Sequence, residues 1–283
     1  MFKKILVPID GSDHAWAALD QAIAIALEEN SAIHALFIID ARLLEAPYYV
    51  GTDPTELYPD INPMLTAQVM ETDKQLHARG NETLEQVKAR CQEAGVACEA
   101  ELGEDIVPNL ILKRAKEADL IVMGERGAGA KWAGPLLGST FEAVVRNAPT
   151  PVLATRDKPR SLRRLLVAFD GSERSWDALE IGEHLISEQQ RELLLLTVDD
   201  GHVGREEAFQ QAVDKLAARG IEVPHRLVEG DHPAQKIIET AEQEEIDLII
   251  MGAYGHSHFL KIFFGSTVDD VLHSAPCPIL ICR

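Results

Sequence analysis

IIMGAYGHSHFLKIFFGST, residues 249–267, reads as a buried strand running into Gly252 and Gly255, then a short loop, then Gly265-Ser266-Thr267 where a helix starts. A second stretch of the same design, IVMGERGAGAKWAGPLLGST, occupies residues 121–140. Glycine permits positive φ and close approach of backbone to a ligand. A helix start offers free N–H groups and the positive end of its dipole, which suit a phosphate. Each stretch therefore has the parts of an anion cradle at a strand end. A plainer reading competes: Gly124 and Gly252 as simple strand-to-loop turns, and Ser139 with Glu142, and Ser266 with Asp269, as capping boxes.

The duplication extends outward from these loops. KKILVPIDGS at 3–12 matches RRLLVAFDGS at 163–172 with an offset of 160, kept by Trp16/Trp176 and Leu19/Leu179. IVMG at 121–124 matches IIMG at 249–252 with an offset of 128, and PTPVLATR at 149–156 matches PCPILICR at 276–283 with an offset of 127. The chain thus reads as two copies of one domain, residues 1–156 and 162–283, joined by the polar linker 157–161. The first copy carries an insertion, about 41–62, and a longer middle helix.

Each copy alternates strand and helix. Ile5–Ile9 is a short continuous apolar run, as expected of a strand buried on both faces. Ser12 or Asp13 caps a helix whose apolar positions run from Ala15 to Ala26. A second strand spans Ala35–Ile39. A long helix is predicted from Pro63 to Ala94, with Asn62-Pro63 as its start signal and a break near Gly80. A strand at Cys98–Leu102, a helix at Ile106–Lys116, a strand at Leu120–Met123, a helix at Phe141–Asn147 and a strand at Val152–Thr155 complete the copy. The second copy repeats the plan with a shorter middle helix, about Glu206–Arg219. This alternation implies a parallel sheet covered on both faces, an α/β fold.

Composition narrows the class. The chain has 283 residues, is 46% hydrophobic and 26% charged, and has a net charge of -19. That balance fits a soluble globular protein and argues against nucleic acid or an anionic membrane as main partner. The N-terminus MFKKILVPID reads as a strand and not as a leader, so a cytoplasmic location is expected. Cys91, Cys98, Cys277 and Cys282 show no paired C-x-x-C spacing and read as reduced, buried thiols.

In open parallel sheets ligands bind beyond the carboxyl ends of the strands. If strands one and four are neighbours, Asp10-Gly11-Ser12 and Met123-Gly124 flank one crevice, and Asp170-Gly171-Ser172 and Met251-Gly252 flank another. An aspartate there can accept from an adenine amine or a ribose hydroxyl, so each crevice suits a nucleotide.

With these residues in place the chain resembles the universal stress protein family in a tandem, two-domain form. The resemblance covers nearly the whole length. The family's nucleotide-binding members carry G-x2-G-x9-G-[ST], which the second copy fits through Gly252, Gly255, Gly265 and Ser266. The first copy, with Gly124, Gly127, Gly138 and Ser139, is one residue too long and holds Trp132 and Pro135 inside the loop. The resemblance implies two doubly wound, Rossmann-like domains, each a five-stranded parallel sheet of order 3-2-1-4-5. It also implies that Val152–Thr155 and Ile279–Cys282 pair to form an internal pseudo-dimer, with a further homodimer open. It implies ATP or another adenine nucleotide as ligand, with Mg2+ as a candidate companion, and a regulatory stress-response role. Carried over by position, the binding residues are Asp170, Thr197, Met251, Gly252, Gly255, Gly265, Ser266 and Thr267 in the second copy. In the first copy they are Pro8, Asp10, Ile38, Met123, Gly124, Arg126, Gly127, Gly138, Ser139 and Thr140. Ala168 stands where the family often has proline, and Tyr254 where it often has histidine. The second copy is expected to be the better site.

An anionic ligand on an acidic protein needs local donors. His256, His258 and Lys261 in the second loop, and Arg126 and Lys131 in the first, can supply them or can be solvated loop charges. Glu125 beside the first loop counts against phosphate there. His256-x-His258 lacks a third ligand by spacing, so no metal site is expected. No P-loop, kinase set or nucleophile elbow is present. Ser12 and Ser172 read as helix caps, and no catalytic residue is assigned; weak ATP hydrolysis is the most the family resemblance allows. The insertion's Tyr48, Tyr49 and Tyr58 fit a lid, a dimer contact, the wall of an apolar pocket or a self-packed surface loop. A scaffold or apolar-ligand carrier without nucleotide is the alternative function.

Overall fold

The computed structural model describes residues 2–44, 63–127, 137–156, 158–187, 191–253 and 266–283. The first repeat runs β1 (Lys4–Pro8), α1 (Asp13–Glu29), β2 (Ala32–Asp40), a 3-10 turn (Ala41–Leu43), α2 (Pro63–Ala94), β3 (Cys98–Asp105), α3 (Val107–Ala115), β4 (Leu120–Gly124), α4 (Ser139–Asn147) and β5 (Val152–Thr155). The second runs β6 (Arg164–Ala168), α5 (Glu173–Ser187), β7 (Glu192–Asp199), α6 (Arg205–Ala218), β8 (His225–Glu229), α7 (Pro233–Gln243), β9 (Leu248–Gly252), α8 (Ser266–Ser274) and β10 (Ile279–Cys282). The Tyr-rich insertion and most of both glycine loops, including Gly255, Gly265, His256, His258, Lys261, Lys131, Trp132 and Pro135, lie outside the described residues.

The described strands form one ten-stranded sheet in the order β3-β2-β1-β4-β5-β10-β9-β6-β7-β8. Each half is the expected 3-2-1-4-5 parallel sheet. The halves join where β5 and β10 pair antiparallel, Ile279 opposite Ala154 and Ile281 opposite Val152. This pairing satisfies two edge strands that would otherwise expose unpaired backbone groups.

Strand alternation splits the core in two. On β1, Ile5 and Val7 face α1 and α2 while Leu6 faces α3 and α4. All three are fully buried, each contributing about 1.5–3 kcal/mol. Both cores run continuously across the two repeats. The linker is held from the first repeat, where buried Gln21 donates to the Arg160 carbonyl at 3.1 Å and accepts from the Arg160 N–H at 2.7 Å.

Small devices recur. Asp119 accepts from the Lys3 and Lys4 N–H groups, and Asp247 from those of Arg163 and Arg164, anchoring the first strand of each repeat. Arg90 lies 4.5 Å over Trp16, and Lys215 5.1 Å over Trp176.

One expectation fails. α2 runs unbroken through Gly80. A Cβ at Gly80 would stand 2.5 Å from Leu102 and 2.9 Å from Phe37. The glycine lets the helix lie close on the sheet; it does not interrupt it.

Candidate functional site

The turn after the first strand of each repeat is built the same way. Gly11 and Gly171 both have φ of +79°. The Asp10 carboxylate accepts from the Ser12 N–H at 2.9 Å, and Asp170 from the Ser172 N–H at 3.0 Å. Ser12 and Ser172 in turn accept, at 3.3 Å, from Ala15 N–H and Ser175 N–H in the first turn of α1 and α5. The serines are caps, as their position implied, and both aspartates are fixed at the rim by local geometry.

The left-handed glycines of the two crevices are Gly11 and Gly171, in the turns after the first strands. Gly124 and Gly252 serve close packing: a Cβ would come within 2.8 Å of His14 Cβ and 2.7 Å of Arg174 Cβ, respectively. The strand end thus touches the helix entrance, which draws the crevice walls together.

In the second repeat this crevice is a cavity of about 350 Å³, within the range of roughly 300–1,000 Å³ usual for small-molecule sites. Of the expected residues, Asp170, Met251, Gly252, Ser266 and Thr267 line it. Ser266 and Thr267 do so from the first turn of α8, whose N-terminus faces the cavity. Phe169, Leu196, Val198 and Ile237 supply apolar wall.

Thr197 is placed elsewhere. It is fully buried, and its hydroxyl donates to the Phe169 carbonyl at 2.9 Å. The strand register explains this: Pro8 pairs with Leu36 and Ala168 with Leu196, so Val198 is the counterpart of Ile38. A slip of one residue moves a strand side chain to the opposite face, and Val198 is the residue in the cavity wall.

Arginine, aspartate and histidine complete the second crevice unforeseen. Arg205, the first residue of α6, donates to the Asp170 carbonyl at 2.9 Å and to Asp200 at 2.8 Å. Its side chain is buried, with Nε lacking a hydrogen-bond partner among the described residues. His202 Nδ1 lies 3.0 Å from Asp200. Burial opposes ionisation of Asp200, but the Arg205 hydrogen bond and charge, with His202, outweigh it and hold the carboxyl below its usual range. The legible signal was position: a helix following β7 must begin at the carboxyl edge of the sheet. In the first repeat Arg79, within α2, donates to the Asp10 carbonyl at 2.8 Å.

The two described ends of the first repeat's loop are tied together. Gly138 N–H donates to the Glu125 carbonyl at 2.9 Å. A Cβ on Gly127 would lie 2.9 Å from the Asp10 carboxylate. Asp10, Gly124, Arg126, Gly127 and Gly138 are therefore brought together. Met123 is buried below them, Pro8 and Ile38 are half-buried, Ser139 is exposed and Thr140 half-buried at the start of α4. No side chain caps α4, so the capping box proposed for Ser139 and Glu142 does not form. Glu125 is buried against Arg156 at 3.6 Å, which offsets the charge expected to repel phosphate.

Among the described residues one group could hold a metal: Asp73, His77 and Glu104, whose donor atoms lie within 4.8 Å of one another. His77 has Asp73 at 3.0 Å from Nδ1 and Glu104 at 3.0 Å from Nε2. A proton satisfies that arrangement, and the Asp73 backbone carbonyl, with both carboxylates, raises the imidazole pKa.

The sequence profile of the universal stress protein family matches residues 1–156 and again residues 161–283. The chain belongs to the universal stress protein family. A universal stress protein of Synechocystis sp. is 27% identical over 295 residues, spanning 99% of this chain and all of that protein. One from Methanocaldococcus jannaschii is 35% identical over 163 residues, covering 56% of this chain and 85% of that protein. The crystal structure of a universal stress protein from Archaeoglobus fulgidus superposes with a TM-score of 0.72 at 25% identity, covering 99% of this chain and 98% of that one. The chain is thus a tandem universal stress protein with two Rossmann-like halves. Among the described residues no helix is long and apolar enough to cross a membrane.

Proposed function

We propose that this universal stress protein binds ATP or another adenine nucleotide in the crevice of its second repeat and acts through nucleotide-dependent contacts in a cytoplasmic stress response. The observation that carries the reading is the convergence of Asp170, Gly252, Ser266 and Thr267 on one cavity, with the α8 N-terminus at its edge. Asp170 accepts from a ribose hydroxyl or base amine. Phe169, Val198, Ile237 and Met251 cover the apolar faces of the base. The α8 N–H groups receive phosphate, helped by Gly255 and Gly265, with Mg2+ offsetting the acidic surroundings. Asp10, Arg126, Gly127, Gly138, Ser139 and Thr140 belong to the corresponding, weaker site of the first repeat. Repeat boundaries at 1–156 and 162–283, with 157–161 as linker, belong to this reading.

Calorimetric titration with ATP, with and without Mg2+, tests it. Asp170→Ala is expected to weaken binding at least about tenfold, the equivalent of roughly 1.4 kcal/mol. Unchanged affinity in that variant would refute the assignment.

A further inference from the structure

Cys91 and Cys98 stand on either side of the α2–β3 turn. α2 ends at Ala94, Gly95 turns with φ of +74°, and Val96 N–H donates back to the Cys91 carbonyl at 2.9 Å. That tight turn brings the last inward-facing position of the helix over the first residue of β3. Both side chains turn toward one core cluster, and the Cys98 thiol donates to the Glu99 carbonyl at 3.6 Å. Cys91 belongs to the buried core, and Cys98 packs against the same core from the outer strand of the sheet. Cys91 is 1% exposed, whereas Cys98 is only partly buried.

The fold does not require this pair. In the second repeat the same turn is made by Gly220 with φ of +72° and Ile221 N–H donating to the Leu216 carbonyl at 3.0 Å. Leu216 and Val223 occupy the places of Cys91 and Cys98 there. An apolar pair does the packing, so the first repeat holds two thiols where two hydrocarbons suffice.

We propose that Cys91 and Cys98 are a peroxide-responsive dithiol that closes into a disulfide joining α2 to β3. The two sulfurs have unequal roles. The Cys91 thiol, the Ala35 backbone N–H and the Lys88 charge favour the Cys98 thiolate, while contact with Cys98 and burial keep Cys91 protonated. The accessible sulfur is thus the nucleophile. The Cys98 thiolate attacks one peroxide oxygen, the O–O bond breaks, and the other oxygen leaves as hydroxide or alkoxide and takes a proton. Cys98 becomes a sulfenic acid. The Cys91 sulfur then attacks the Cys98 sulfur, the S–S bond forms, and the sulfenyl oxygen departs as water with the Cys91 proton. Two thiols are oxidised and one hydroperoxide is reduced. Cys277 and Cys282 take no part: both are fully buried, and burial pushes Cys277 up to about 11 and Cys282 higher still.

Hydrogen peroxide added to the native full-length chain tests this by thiol titration and non-reducing peptide mapping. Two of the four thiols are expected to be lost, with the peptides carrying Cys91 and Cys98 linked and released by dithiothreitol. Cys98→Ala is expected to keep its three remaining thiols. Cys91→Val, which preserves an apolar core side chain, is expected to leave Cys98 as a sulfenic acid captured by dimedone. A native wild-type chain whose Cys98 peptide stays reduced and unlinked, or whose peroxide-sensitive thiols prove to be Cys277 and Cys282, would overturn the proposal. The wild-type map decides the question even if a variant folds poorly.

Discussion

At the carboxyl end of their first strands the two repeats carry the same Asp-Gly-Ser turn, and in each an arginine reaches the aspartate's carbonyl. The arginines come from different places. Arg79 lies inside the long helix α2 with its contact exposed, whereas Arg205 opens the short helix α6 and is buried between Asp170 and Asp200. Two helices of unequal length thus deliver one cation to one spot. The turn, and not the helix register, is the conserved object of the duplication within this chain. The difference lies in what surrounds it: the second repeat keeps an open, partly apolar cavity beside Asp170, while in the first Gly127 is laid against Asp10.

Substitution at the glycines probes what the repeats share. Gly252→Val and Gly124→Val force a side chain into the entrances of α5 and α1, and each is expected to cost about 1–3 kcal/mol in urea unfolding. A cost at one and none at the other would break the structural equivalence.

The arginines probe where they differ. Arg205→Ala removes a buried hydrogen-bonded cation and is expected to cost about 1–3 kcal/mol. Arg79→Ala, exposed, is expected to cost less than about 1 kcal/mol. Equal losses in denaturant titration would show that the two sites are not distinguished by burial. In binding, Asp170→Ala is expected to have the larger effect and Asp10→Ala the smaller, measured by the same ATP titration.

The smallest effect is in pH. Asp200 has a folded pKa held below its unfolded value near 3.9. Its contribution is therefore fully present above that value and lost as pH falls through the folded pKa. Asp200→Asn is expected to be less stable than wild type at neutral pH, with the gap narrowing below about pH 4. A gap that widens in acid would contradict the sign.

Much of this was legible because the signals were redundant. Continuous apolar runs gave the strands, and their recurrence, at offsets that shift from 160 to 127 past the first copy's insertion, gave the second repeat. The strand-one aspartates followed from the repeated Asp-Gly-Ser, and the start of α8 from the glycine-rich motif that precedes it. What was missed depended on long-range register. Thr197 and Val198 are adjacent in sequence but on opposite faces, and only the pairing of β6 with β7 says which one meets the cavity. Gly80 looks like a helix breaker until Phe37 and Leu102 are seen beneath it. Arg205 and Arg79 carry no motif at all, because a guanidinium can reach one carbonyl from several positions along a helix.

The central claim is that the second crevice holds an adenine nucleotide. The most direct measurement is to purify the chain without added nucleotide, saturate it with Mg-ATP, remove the excess, denature it and quantify adenine nucleotide per chain beside Asp170→Ala and Asp10→Ala. The account predicts at least one nucleotide per chain, with one lost in Asp170→Ala and retained in Asp10→Ala. No nucleotide on the wild type, or a content unchanged by Asp170→Ala, would contradict it.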